Sequence, residues 1–289
     1  MLASFYIGLR WGHFVCLMLA FGCVLYSAWW AEPQVRRLIS QRFSRLLSVT
    51  LFLSASSATL MLMLQGGLMG NGWSDVVQPD IWLLVAGTRF GSIWLWQILL
   101  AWITVVVWWL RPSRLMPLLL ILCVAQFLLM AGVGHAAMRE GMSGVLQRTN
   151  HAIHLLCAAA WFGGLLPFAY CVRLAQGRWR ASAIATMMRF SRYGHLAVAG
   201  VVLSGLMNAF LIQGSLYTDT AYGTLLVVKM GLVALMVAIA LINRYVLVPR
   251  MAADRQHIEK LFLRLTQAEM VLGALVLAAV SAFATWEPF

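Results

Sequence analysis

The sequence predicts an all-α protein, a polytopic bundle of eight membrane-spanning helices with both termini on the outer side. Three observations predict it. Hydrophobic residues make up 62% of the 289-residue chain and charged residues 10%, where a soluble domain carries roughly 25% charged residues. Apolar stretches near the length of about 20 residues that spans a bilayer recur along the chain. Basic residues collect in every second connection between those stretches.

The eight spans fall at residues 8–30, 46–65, 91–110, 115–134, 151–172, 191–213, 223–247 and 263–284. The first nine residues carry no basic side chain and the first apolar stretch is of full membrane-spanning length, so it is expected to stay in the mature protein rather than act as a cleaved signal. After it come Arg36, Arg37, Arg42 and Arg45. The second span leads into a long, Gly-rich connection, residues 66–90, whose apolar piece near Ile81–Val85 suits an interfacial or capping segment. The third and fourth spans are joined by a short turn with Arg111, Pro112 and Arg114, and Pro117 follows it. Arg173, Arg178, Arg180, Arg189 and Arg192 follow the fifth span. Arg244, Arg250, Arg255, Lys260 and Arg264 follow the seventh.

This asymmetry puts the Arg-rich connections in the cytoplasm and the termini outside, on the periplasmic side if the host has two membranes. Trp29, Trp30, Trp108, Trp109 and Trp179 then fall near cytoplasmic helix ends, with Trp73, Trp82 and Trp286 near outer ends, as an aromatic belt. The net charge of +12 is explained by the same loops, and no nucleic-acid partner is implied. The five cysteines form no CxxC pair, which argues against a zinc ribbon, a thioredoxin-like motif or a disulfide framework. No Walker sequence, HExxH, phosphorylation sequence of an ATP-driven pump or CPC occurs, so no nucleotide is expected to drive the protein. No repeat of short fixed period is present.

Polar residues inside spans carry the functional reading, because burying them in lipid is costly. His13, His135, His151 and His154 map to the outer half of the membrane, and the last two share a helix face at a spacing of three. They are the candidate metal ligands. Imidazole binds Cu(I) and Cu(II), and thioether and thiolate favour Cu(I). Met69, Met138, Cys16 and Cys157 are therefore candidate additional soft ligands, although Met and Cys are also ordinary helix fillers. His195, nearer the cytoplasmic side, belongs to an exit step, a second site or packing, and His257 to a solvated loop. Lys229 snorkels outward or binds an anionic group. Glu269 is placed to bond His195, Asn243 or Arg244. Gln97, Gln126 and Asn208 are candidates for helix-joining hydrogen bonds. Trp161, Gly163, Gly164 and Pro167 suggest a close helix contact and a break in the fifth span, as along a substrate path.

The run Asn150-His151-Ala-Ile-His154, with Trp161-Phe-Gly163-Gly164-Leu-Leu-Pro167, resembles the copper resistance protein D (CopD) family. So do QGGLMGNGW (65–73), AGVGHA (131–136), INRYVLVPRM (242–251) and the terminal WEPF. The likeness runs along the whole chain. It implies one integral membrane domain, residues 1–289, made of an N-terminal half (1–149) and a CopD-like C-terminal half (150–289). It implies copper as cargo, a periplasmic CopC-type protein as partner, inward movement of copper and no enzymatic activity. The outer connections lack dense Met/His repeats, which favours homeostasis over high-capacity detoxification. The set His154, Trp161, Gly163, Gly164 and Pro167, with Lys229, also resembles HemJ-type protoporphyrinogen oxidases. That likeness implies haem b as an alternative cofactor and a redox role, with His154 as axial ligand, His13 or His195 as a second, and Lys229 facing a propionate. A membrane scaffold that holds a copper chaperone without transport is the remaining alternative.

Overall fold

The structure, a computed structural model, describes residues 1–134, 139–250 and 255–283. The chain is all-α there, with no strand among the described residues. In order it forms α1 (Leu2–Leu25), α2 (Pro33–Arg42), α3 (Ser44–Met69), α4 (Pro79–Ala86), α5 (Arg89–Leu110) and α6 (Leu115–Met130). It continues with α7 (Gly141–Leu174), α8 (Arg180–Gln213), α9 (Ala221–Leu241), the single turn α10 (Val248–Arg250) and α11 (Arg255–Phe283). Two π-helical segments, Tyr26–Trp30 and Ile242–Leu247, extend α1 and α9.

Among the described residues, seven of these helices are long and apolar enough to cross a membrane, and α6 is a shorter apolar helix of 16 residues. The eight expected spans are thus all helices, but several run past their apolar stretch. Both α7 and α8 are 34 residues long. Each begins about ten residues before the expected span, because hydropathy marks the part that suits lipid and not the polar turns that continue beyond it. His257 lies in the first turn of α11 rather than in a loop, and is exposed.

α1 and α7 form the centre. Three spanning helices, α3, α5 and α6, lie between them in the chain, so the two run parallel. Gly22 and Gly163 meet where they cross: a Cβ on Gly22 would stand 2.0 Å from the Gly163 carbonyl carbon, and one on Gly163 2.0 Å from the Met18 carbonyl oxygen. Only glycine permits backbones to approach this closely. Pro167 has no N–H to bond the carbonyl four residues earlier, which is that of Gly163, the carbonyl facing Gly22. The expected break at Pro167 does not occur, since α7 is continuous and the freed carbonyl is packed against the neighbouring helix.

Around this pair, α3, α5 and α6 surround α1 on one side, and α8, α9 and α11 surround α7 on the other. α1 also packs on α11, and α7 on α6. α2 lies at the Arg-rich end with Val35 and Ile39 fully buried, tied to α8 by Glu32–Arg189 at 2.5 Å. The long connection after α3 folds as a turn around the buried Asp75, whose Oδ2 accepts from the Asn71 N–H at 2.7 Å, and as α4. Two expected belt tryptophans are interior instead: Trp30 stacks on Tyr193 at 6.0 Å, and Trp108 donates to Ser48 Oγ at 2.7 Å. Trp109, by contrast, is 79% exposed.

Candidate metal-binding site

His13 lies fully buried between α1, α3 and α5. Its Nδ1 stands 3.0 Å from the Ser54 carbonyl oxygen and 2.9 Å from Ser57 Oγ. A carbonyl only accepts, so Nδ1 carries the proton and the lone pair is on Nε2. That Nε2 is buried without a hydrogen-bond partner. The ring of Trp94 lies 5.8 Å away, its N–H donating to the Ala58 carbonyl at 2.8 Å.

His154 is half-buried on α7 and faces α8. Its Nδ1 stands 2.9 Å from Ser204 Oγ. The Ser204 hydroxyl donates to the Gly200 carbonyl, so it accepts from His154, and Nε2 again holds a free lone pair. Gly205 leaves room beside the ring, since a Cβ there would come within 3.3 Å of Cε1.

His151 is held differently. Asn150 Nδ2 donates to the Ser204 carbonyl and to Asn208 Oδ1, both at 2.9 Å. That fixes the Asn208 amide so that its Nδ2 points at His151 Nδ1, 3.3 Å away, and donates to it. The proton of neutral His151 is then on Nε2. The two imidazoles are nearly parallel, 6.3 Å apart, yet they present opposite atoms: a lone pair on His154 and an N–H on His151. Lys229 of α9 is close enough for its charge to act on both rings, and Arg10 acts on His13 and His151.

The four-histidine cluster expected from the sequence is not assembled among the described residues, where no three His, Cys, Asp or Glu side chains converge as a metal site. His13 and His154 each stand nine residues before the glycine at the α1–α7 crossing. Nine residues are about two and a half turns, so each faces away from that seam, on opposite sides of it. His135 and Met138 lie outside the described residues. Cys16 is half-buried, and Cys157 packs its sulfur against Gly200. All five cysteines are free. Met69 is 60% exposed at the end of α3. Gln126 joins α6 to α5, donating to Thr104 Oγ1 at 3.0 Å.

Toward the Arg-rich end, α8 and α9 diverge and leave a groove of about 1430 Å³ floored by α7 and α11. Trp161 and Glu269 stand at its inner end, the indole N–H donating to Glu269 Oε1 at 2.7 Å. Glu269 thus bonds neither His195, Asn243 nor Arg244, because its side chain turns to α7. His195 is exposed in the groove, its Nδ1 on the Ser191 carbonyl and its ring edge-on to Tyr245. Asn243, on the π-helical segment, lines the same wall. Trp161, Leu165, Phe168 and Val172 recur every three or four residues along the groove, and His154 stands seven residues, about two turns, before Trp161, so all five share one stripe of α7.

Among the described residues, seven helices long and apolar enough to cross a membrane, with a shorter apolar eighth, define a class: a polytopic integral membrane protein of the helical-bundle kind. Residues 1–145 match the family described as "Copper resistance protein D-like, N-terminal domain", and residues 184–283 match "Copper resistance protein D". The chain is 53% identical to "Inner membrane protein YebZ" of Escherichia coli over 290 residues, covering 100% of both. It is 31% identical to "Copper resistance protein D" of Pseudomonas syringae pv. tomato over 84% of this chain and 82% of that one. It is 29% identical to "Copper transport protein CutJ" of Bacillus subtilis over 93% of this chain and 50% of that protein. The chain belongs to the copper resistance protein D family. No solved structure matches it at a significant level.

Proposed function

We propose that this protein is an inner-membrane copper carrier that accepts copper on the outer side at His154 and releases it inward through the α8–α9 groove. The observation that carries the reading is the Ser204 hydroxyl on His154 Nδ1, which fixes the tautomer and leaves Nε2 as a ligand atom, as second-shell partners of metal-bound histidines do. Trp161 stands two turns deeper on the same stripe, roughly 10 Å at 1.5 Å per residue, with Glu269 of α11 bonded to it. Glu269 gives a buried carboxylate for a cation on its way to the groove. The Arg-rich connections support cytoplasmic placement of the groove mouth, with both termini outside. Copper would be delivered by a periplasmic CopC-type carrier and drawn inward by the membrane potential or by chelation in the cytoplasm, without an enzymatic step.

The test is Cu(I) binding to the purified protein under a competing chelator. Replacing His154 by Ala is expected to weaken binding about 10-fold or more, by analogy with loss of a ligand or its orienting partner, and unchanged affinity removes the reading. A second reading has one feature in its favour: Lys229 is a cation inside the apolar span of α9, and a cation there suits a haem b propionate better than a copper ion. His154 would then be an axial ligand and the role redox. A Soret band in protein from haem-replete cells supports it, and a colourless sample sets it aside.

A further inference from the structure

The two histidine sites repeat each other in sequence. His13-Phe-Val-Cys16-Leu-Met-Leu-Ala-Phe21-Gly22 on α1 matches His154-Leu-Leu-Cys157-Ala-Ala-Ala-Trp-Phe162-Gly163 on α7: His, Cys, Phe and Gly fall at identical spacings. Arg-Phe-Ser-Arg recurs on the next spanning helices, at the start of α3 (Arg42–Arg45) and just ahead of the apolar part of α8 (Arg189–Arg192), nine residues after that helix begins. Counting from those runs, Ser57 and Ser204 occupy the same position, and so do Ser54 and Val201. The matched serines hold the two imidazoles: Ser57 Oγ stands on His13 Nδ1, which also bonds the Ser54 carbonyl, and Ser204 Oγ stands on His154 Nδ1. The third spanning helices start alike too. Thr88 caps α5 by accepting from Gly91 N–H, and Thr220 caps α9 by accepting from Gly223 N–H, each at 3.0 Å.

The packing obeys the same relation. α1 and α7 cross glycine on glycine, and each also packs on the fourth spanning helix of the other half. This is a parallel repeat about an axis along the membrane normal. We propose that the chain is a tandem duplication of a four-helix unit, and that its first half holds a second Cu(I) site at His13, equivalent to that at His154. The site is built: the His13 ring is wholly buried, its Nδ1 is anchored twice, and its Nε2 is left with no partner at all. An unpartnered buried polar atom is costly, and a soft cation bound there would remove the deficit. Cys16 lies one turn away, as Cys157 does from His154.

The halves differ in access. In the first, Trp94, Trp102 and Trp108 of α5 donate to Ala58, Thr59 and Ser48 of α3 and close the seam. The matching residues of α9 are Leu226, Ala234 and Ala240, and the matching seam, α8 to α9, stands open as the groove. The first-half site therefore retains its ion while the second exchanges it.

This inference rests on reading the cargo as copper, and one titration separates the two. The purified full chain, in detergent, is loaded anaerobically with Cu(I) under a competing chelator and its copper counted. Wild type is expected to bind two equivalents, one released slowly. His13→Ala is expected to lose the slow equivalent alone, and His154→Ala the fast one alone. Ser57→Ala, which keeps the imidazole, is expected to weaken the slow site about 10-fold and serves if His13→Ala does not fold. One equivalent in wild type, or a slow equivalent indifferent to both first-half variants, overturns the second site and leaves the copper reading intact. No copper bound by wild type overturns both.

Discussion

The indole N–H of Trp161 and the carboxylate of Glu269 meet 2.7 Å apart in the interior, joining α7 to α11 where the histidine stripe reaches the groove. Glu269 is 2% exposed. In the proposed path this buried carboxylate receives the cation on its way to the groove. Glu269→Gln keeps an acceptor for Trp161 and removes that charge. It is expected to leave the protein in the membrane at wild-type level and to lower copper uptake about 10-fold, a loss of roughly 1.4 kcal/mol of differential interaction. Trp161→Phe keeps an aromatic ring, though a smaller one, and removes the N–H; it is expected to lower thermal stability by about 1–3 kcal/mol, the range for a hydrogen bond lost from a buried polar group.

Ser204 is the residue whose loss acts on His154 alone. Ser204→Ala leaves the imidazole in place but frees its tautomer. Copper affinity at that site is expected to fall about 10–100-fold, the usual effect of removing an orienting partner, while helix content by circular dichroism stays constant. An unchanged affinity would show that the hydroxyl does not set the ligand atom.

Lys229 occupies the position in α9 that Gln97 holds in α5, counting from the matching caps. Its positive charge beside His151 and His154 opposes a bound cation. Lys229→Gln is expected to strengthen Cu(I) binding about 10-fold, within what one near charge contributes at the effective dielectric of a protein. Under the haem reading the same substitution weakens retention of the cofactor. Chelator competition and a visible spectrum on one sample give opposite signs for the two readings.

The Gly22–Gly163 contact sets the spacing of the two halves. Gly163→Ala places a Cβ 2.0 Å from the Met18 carbonyl, which is backbone and cannot rotate away. The α1–α7 pair must separate, and a stability loss of about 1–3 kcal/mol is expected from overpacking. It is read as a lower melting temperature in detergent. Gly8→Ala, with open space around it, is the control and is expected to change little.

The membrane architecture was legible because each span is a run of apolar residues, a property each segment carries by itself. The candidate site was legible only as residue types. His13 and His154 stand out in sequence, but facing direction depends on register against the α1–α7 crossing, and the gathering of histidines into one pocket does not follow from equal depth. The tautomers are set by the Ser54 carbonyl, Ser204 and Asn208, whose hydrogen bonds span 41 to 57 residues of sequence. The partnership of Trp161 and Glu269 spans 108 residues. The duplication did leave a local signal, His-x-x-Cys-x-x-x-x-Phe-Gly twice and Arg-Phe-Ser-Arg twice, which a comparison of the chain with itself at long offsets reveals.

The most direct measurement is uptake of radioactive copper, supplied as Cu(I), by proteoliposomes holding the wild-type chain or His154→Ala at equal protein content. The account predicts accumulation inside wild-type vesicles under an inward-driving potential and loss of most of it in the variant. Equal accumulation by the two, or none by wild type above empty vesicles, would contradict it.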